Sequence, residues 1–264
     1  MDAVTIRPAR DDDYKVYTRL LAQLGTGDPA PPPSRWTDEI RAQTFCAERD
    51  GAVLGYVFGQ SLAGVGYVRN LVTDVSARRQ GVGRALMQAI AARFRADGCA
   101  RWCLNVKPDN RAALALYEAL GLRAVYRGAS LRITWEALRG LPDAPAEVVA
   151  DVCREAHDDA VEAHWDLARG QLAYARAHGW VLRRVGLTEG VACFNPTFPG
   201  VFPFRAASLG AASALLTALR PHALPEHDHV RLMVEADDGL RAALESLGAE
   251  VALETLHLRG EIPA

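Results

Sequence analysis

A strand that feeds a glycine-bearing turn and then directly an amphipathic helix leaves few folds open. One such stretch runs from Leu71 to Leu86, reading LVTDVSARRQGVGRAL. Leu71 to Val75 reads as a strand, apolar and β-branched without helical period. From Val82 the rhythm changes. Leu86, Ile90 and Phe94 recur every four residues while Arg84, Gln88, Arg93 and Arg95 fall elsewhere, which is an amphipathic helix closed by Gly98. Between them lie Arg78-Arg79-Gln80-Gly81-Val82-Gly83. The first N–H groups of a helix have no internal partner, and its dipole adds partial positive charge there. Gly81 and Gly83 let backbone approach a ligand closely, and the arginines add full charge. Such a corner suits phosphate. It is neither G-x-x-x-x-G-K-[ST] nor G-x-G-x-x-G, so a Walker loop and the dinucleotide fingerprint are both excluded.

A second stretch, Leu104 to Leu122, reads LNVKPDNRAALALYEALGL. A short strand ends near Lys107, and Pro108-Asp109-Asn110 turns the chain. Asp109 or Asn110 then caps a helix that Gly121 ends. Asn110, Ala113 and Tyr117 share one helical face by spacing.

With Arg78-x-x-Gly81-x-Gly83, Val106-x-x-x-Asn110 and Tyr117-Glu118-x-Leu120-Gly121 in this order, residues 4–135 resemble the GNAT superfamily of acyl-coenzyme A-dependent N-acetyltransferases. The resemblance implies an α/β fold: a mixed sheet with helices on both faces, and acetyl-coenzyme A as cosubstrate. The coenzyme would lie in a notch between the strands ending near Thr73 and Val106. Backbone amides of Leu71, Val72 and Thr73 would pair with the pantetheine arm. Arg78, Arg79, Gln80, Gly81, Val82, Gly83 and Arg84 would hold the pyrophosphate, with Asn110 and Ala113 at the pantetheine. Tyr117 would protonate the departing thiolate, whose pKa near 8.5 makes a waiting donor useful. An aromatic on an apolar helix face is also a common core residue.

Members of the family often carry a Glu as general base on the strand before the turn. Here stand Tyr67, Arg69 and Asn70, and Asp74 lies where the strand leaves the site, so no base is named. Arg69 is either a surface ion pair or, if it faces the acceptor cavity, a partner for an anionic group such as a carboxylate.

The remaining elements follow in order. Val4 to Arg7 forms a strand that Pro8 ends, and a helix follows from Tyr14 to Leu24 behind Asp11 to Asp13. Gly25 to Ser34 is a loop with Gly27 and Pro29, and Trp36 to Gln43 is a short helix. Strands at 45–49 and 52–62 flank the Asp50-Gly51 turn, and 65–75 leads into the corner. Two further strands are expected at 123–126 and 130–135. Gly140, Pro142 and Pro145 mark a boundary. Residues 1–137 form the expected catalytic domain and 138–170 a helical linker, with 146–178 mostly helical. Residues 171–264 form a degenerate second GNAT-like domain.

In this last part strands and helices recur in the order of the first half. Leu232-Met233-Val234 matches Leu104-Asn105-Val106, and Leu247-Gly248 matches Leu120-Gly121. Leu244 then falls at the place of Tyr117 and Asp237 at that of Asn110. Ser208-Leu209-Gly210 replaces the arginine-glycine corner, so this half is expected to bind no coenzyme.

Composition narrows the partners. The 264 residues are half hydrophobic, and 30 basic against 32 acidic side chains leave a net charge of −2, with no basic field for nucleic acid. No apolar run reaches the ~20 residues of a membrane span, and the start has no signal-peptide form. Five dispersed cysteines suggest reduced thiols and a cytoplasmic setting. Neither Cys99/Cys103 nor the histidines at 157, 164, 222, 227 and 229 match a metal pattern. The expected activity is acetyl transfer from acetyl-coenzyme A to the primary amine of a small, amino-acid-like molecule, in a monomer or homodimer. An acyl-coenzyme A sensor and a protein N-terminal acetyltransferase are the alternatives.

Overall fold

The computed structural model describes residues 4–25 and 30–263. The first three residues, with Gly27 and Pro29 of the expected loop, lie outside the described residues. The elements are β1 (Thr5–Pro8), α1 (Tyr14–Leu21), α2 (Pro33–Arg35, extended by π and 3-10 turns to Gln43), β2 (Thr44–Arg49), β3 (Ala52–Leu62), β4 (Val65–Thr73), α3 (Val82–Ala96), β5 (Arg101–Val106), α4 (Arg111–Glu118) and β6 (Arg123–Thr134). There follow β7 (Ala150–Val152), α5 (Asp158–His164), α6 (Gln171–Ala177), β8 (Val181–Val185), β9 (Gly190–Asn195), β10 (Gly200–Ala206), α7 (Leu209–Leu219), β11 (His229–Glu235), α8 (Asp238–Ser246) and β12 (Glu250–Glu261). Contacts divide the chain into two compact units: residues up to Val125 together with those from His257 on, and Tyr126–Leu256.

In the first unit the strand order is β1-β2-β3-β4-β5 and then the end of β12. The β1/β2, β2/β3 and β3/β4 pairs are antiparallel, while β4 and β5, joined through α3, run parallel. Asp50 and Gly51 both have positive φ (52° and 76°), as a two-residue turn between twisted strands requires. Tyr56, Phe58 and Val72 pack with Tyr17, Leu20, Trp36 and Ile40 of the α1–α2 region. On the other face α3 buries Leu86, Met87, Ile90 and Phe94. Gly59 and Gly66 lie directly beneath the Phe94 ring.

Gly66 and Val72 are six residues apart in one strand yet face opposite sides. The reason is a bulge: Gly59 pairs with Val68 but Phe58 with Asn70, which leaves Arg69 as the extra residue and shifts the alternation by one. β4 stops at Thr73 rather than the expected Val75, because the Asp74 carboxylate turns back to accept from the Ser76 N–H (3.1 Å).

An ion-paired corner ties β1, β2 and the start of α1. Arg7 donates to both Asp13 oxygens (2.7 and 2.9 Å) and to Glu48 (2.5 Å). Burial pushes the Asp13 carboxyl up, but the Arg7 guanidinium and the Arg10 N–H outweigh it and hold it below the usual range. A depressed carboxyl stabilises the fold above its unfolded pKa of ~3.9, and that contribution disappears as pH falls through the lower folded value. Asp13→Asn is therefore expected to cost about 2–3 kcal/mol at pH 7. In denaturant unfolding the gap to the native chain should close progressively below about pH 4.

The second unit is ordered β7-β8-β9-β10-β11-β6-β12. Its β7/β8, β8/β9 and β9/β10 pairs are antiparallel, β10/β11 is parallel across α7, and β11/β6 is antiparallel. This repeats the first unit element for element. Two expectations are corrected here. Residues 146–178 hold helices α5 and α6, but a strand, β7, precedes them where helix was expected. Residues 123–134 form one strand, not two.

The positional match also holds. Asn110 Oδ1 accepts from Ala113 N at the start of α4 (3.2 Å), and Asp237 Oδ1 accepts from Leu240 N at the start of α8 (2.8 Å). The Tyr117 carbonyl accepts from Leu122 N, and the Leu244 carbonyl from Ala249 N, both at 3.0 Å. Gly121 and Gly248 end their helices at φ 88° and 93°, a backbone conformation that favours glycine.

Candidate active site

The parallel ladder between β4 and β5 runs only from Val65/Arg101 to Val68/Leu104. Both strands continue, β4 to Thr73 and β5 to Val106, without pairing further. Leu71, Val72 and Thr73 remain bonded to Val57, Tyr56 and Gly55 of β3 on one side. Among the described residues their other edge has no ladder partner.

Above this gap stands the start of α3. Gly81 is its N-cap at φ 82°, and no side chain caps the helix. The first-turn N–H groups are thus left for another acceptor. Arg78, Arg79, Gln80, Gly81 and Arg84 are exposed. Arg78 Nε donates to the Thr73 carbonyl (3.3 Å), and Gln80 bridges Arg49 (3.0 Å) and the Ser76 carbonyl (3.0 Å), which holds the turn in place. Val82 is buried under the helix. At Gly83 a Cβ would sit 3.4 Å from Leu116, 3.6 Å from Thr73 Oγ1 and 4.0 Å from Leu71. The structure therefore brings Leu71, Thr73, Gly83 and α4 together.

Of the two candidate caps on α4, Asn110 is the one used, so its Oδ1 is committed to Ala113 N. Tyr117 lies about two turns further on, 6% exposed, and burial raises its phenol above the ordinary value. Asp74 is engaged by Arg19 (2.7 Å) and Ser76, which lower its carboxyl. It is tied to the turn and is no candidate base.

The α1–α2 face of the sheet carries a chain of polar groups that no sequence spacing announces. Arg69 Nε donates to Gln60 Oε1 (2.6 Å), and Gln60 Nε2 to Glu39 Oε1 (3.3 Å). The Arg69 guanidinium stacks 3.8 Å over the Tyr67 ring. Asn105 Nδ2 donates to the Tyr67 hydroxyl (3.0 Å), and His257 Nδ1 lies 2.8 Å from Asn105 Oδ1. Arg259 Nε donates to His257 Nε2 (3.1 Å). These residues come from the α2 region, β3, β4, β5 and β12, far apart in the sequence, and only Arg69 was a candidate from the sequence.

The second unit differs at the corresponding strand pair and helix start. β10 stays paired with β11 as far as Phe204/Val234, and Ser208 Oγ caps α7 by accepting from Ala211 N (3.1 Å). A Cβ at Gly210 would meet Pro145 at 3.0 Å, so the helix start is covered. The five cysteines are free thiols and buried. Among the described residues no group of three or more His, Cys, Asp or Glu is placed to hold a metal ion, and no helix is long and apolar enough to cross a membrane.

Comparison with solved structures gives the class. A GCN5-related N-acetyltransferase from Sphaerobacter thermophilus superposes with TM-score 0.70 at 17% identity, covering 100% of this chain and 97% of that one. A tandem GNAT protein from the clavulanic acid biosynthesis pathway superposes at 0.61 and 17%, covering 99% of each chain. At such identity the likeness is one of fold: the whole chain has the fold of a tandem GNAT protein.

Sequence comparison points the same way. Residues 13–122 match the acetyltransferase (GNAT) family. The [ribosomal protein bS18]-alanine N-acetyltransferase of Escherichia coli K12 is 32% identical over 81 residues, 31% of this chain and 55% of that protein. A mycothiol acetyltransferase of Thermomonospora curvata is 33% identical over 137 residues, 46% of this chain and 44% of that protein. The matches thus span about half the length of these relatives.

Proposed function

We propose that this chain is an acetyl-coenzyme A-dependent N-acetyltransferase, with its site in the first unit and a primary amine of a small molecule as acceptor. The observation that carries the reading is the gap where β4 and β5 stop pairing, set beneath an uncapped α3 start flanked by exposed arginines. An extended pantetheine arm can bond the free edge of Leu71–Thr73 as a further strand would, and the diphosphate can meet the α3 N–H groups and Arg78, Arg79 and Arg84. The coenzyme supplies the acetyl group as a thioester. Direct attack by a neutral amine forms the amide C–N bond and breaks the thioester C–S bond; Tyr117 gives its phenolic proton to the departing thiolate sulfur, and the proton lost by the attacking nitrogen passes to solvent, which reprotonates the phenolate. The second unit has a paired β10/β11, a side-chain cap on α7 and Leu244 in place of Tyr117, which supports a coenzyme-free role.

Titration calorimetry with acetyl-coenzyme A, followed by thiol release across a panel of amines, tests the reading. One coenzyme per chain and release with at least one amine are expected. Binding without release for any amine would favour a sensor, and no binding would remove the proposal. Arg78→Ala and Arg79→Ala are each expected to weaken coenzyme binding by about 3–10-fold in low salt, the deficit shrinking as salt rises. Unchanged affinity in both would displace the diphosphate from this corner.

A further inference from the structure

We propose that the acceptor carries an anionic group, a carboxylate or a phosphate, and that Arg69 holds it. This rests on the acyl-transfer reading and adds the chemical class of the acceptor.

Arg69 is the bulged residue of β4 and the first beyond the last β5 pair, Val68/Leu104. It therefore stands where the two strands part. Its side chain is half-buried, and its position is fixed twice: the guanidinium lies on the Tyr67 ring, and Nε donates to Gln60. Neither Nη nitrogen has a hydrogen-bond or ion-pair partner among the described residues. Arginines that serve the fold of this chain look different. Arg7, Arg176 and Arg205 each place Nη atoms on a carboxylate, of Asp13, Asp158 and Glu235. Arg69 uses only Nε and its ring face within the protein. The edge left over is the pair of parallel N–H donors that matches two oxygens of a carboxylate or phosphate.

The platform beneath it is rigid. His257 and Gln60 are 5% and 3% exposed. Because Arg259 Nε can only donate, His257 Nε2 accepts. Nδ1 then carries the proton and donates to Asn105 Oδ1. That orients the amide so that its NH2 meets the Tyr67 hydroxyl. Tyr67 is thus pinned at both its ring and its tip. Gln60, held by Glu39, sets the guanidinium plane. A guanidinium ordered before binding loses little entropy when an anion arrives, which favours recognition over a mere surface charge.

Binding of matched amines to the full chain, measured by calorimetry without coenzyme, tests this. L-2,4-Diaminobutyrate is paired with 1,3-diaminopropane, L-lysine with cadaverine, and glucosamine 6-phosphate with glucosamine. In at least one pair the anionic member should bind ~10–100-fold tighter. The carboxylate and phosphate pairs tell the two anions apart. Arg69→Gln should abolish that preference while acetyl-coenzyme A affinity stays unchanged, and Arg69→Lys should restore part of it. Gln60→Leu should weaken the preference and Gln60→Glu should restore it, as expected of a positioning residue. Equal binding within every pair, or a preference that survives Arg69→Gln, overturns the proposal. A chain that prefers the anions yet binds no acetyl-coenzyme A would remove the acyl-transfer reading and leave the anion site standing.

Discussion

Replacing Tyr117 with phenylalanine is expected to slow acetyl transfer by about 10²–10⁴-fold, the range that a positioned general acid contributes. The substitution keeps the ring that fills the α4 face and removes one hydroxyl, so coenzyme affinity should change by less than about threefold. Burial holds the phenol protonated well above neutral pH. A group of that kind donates across the whole working range, so the native chain should show no alkaline loss of turnover from Tyr117 below about pH 10. The separation is diagnostic. A packing residue would alter thermal stability and coenzyme binding together with rate, whereas a proton donor alters the rate alone. Single-turnover thiol release at saturating acetyl-coenzyme A measures it, and an unchanged rate in Tyr117→Phe would return the residue to the core.

The element order was legible because both units are built on strong periodicity: the four-residue rhythm of Leu86, Ile90 and Phe94, and the apolar strands around it. What failed did so for local reasons. Val148, Val149, Val152 and Cys153 have spacings that suit helix or strand, and only pairing with Arg183–Val185 decides for β7. The gap expected between 126 and 130 does not occur, because β6 stays paired with β11 down to Gly128/Glu235, where the Glu235 and Thr255 side chains leave little room for a Cβ. The corner before α3 was legible because its residues are contiguous. The chain from Arg259 through His257, Asn105, Tyr67, Arg69 and Gln60 was not, since its members are brought together by pairing of distant strands. The bulged segment Val68-Arg69-Asn70 itself carries no glycine or proline to mark it; the glycine at the bulge, Gly59, lies on the opposite strand.

Gly66→Ala should destabilise the first unit by about 3 kcal/mol. An added Cβ would fall within the contact radius of Phe94 Cδ2, Cγ and Cε2, and Phe94 is fully buried. The ring has no retreat toward β3, where Gly59 Cα already lies so close that a Cβ there would come within 2.7 Å of Phe94 Cζ. Relief must come from α3 itself, which would lift from β4 along with Gly81 and Gly83. The same substitution is therefore expected to weaken coenzyme binding, although Gly66 is remote from the diphosphate corner in sequence. Phe94→Leu alone should cost about 1–2 kcal/mol through lost contacts, yet in combination with Gly66→Ala it makes room for the methyl. The pair should be at least 1 kcal/mol more stable than the sum of the single losses, with coenzyme affinity partly regained. Denaturant unfolding of the four proteins, with calorimetry on each, measures both effects. Strict additivity would mean that α3 is seated by something other than this ring on these two glycines.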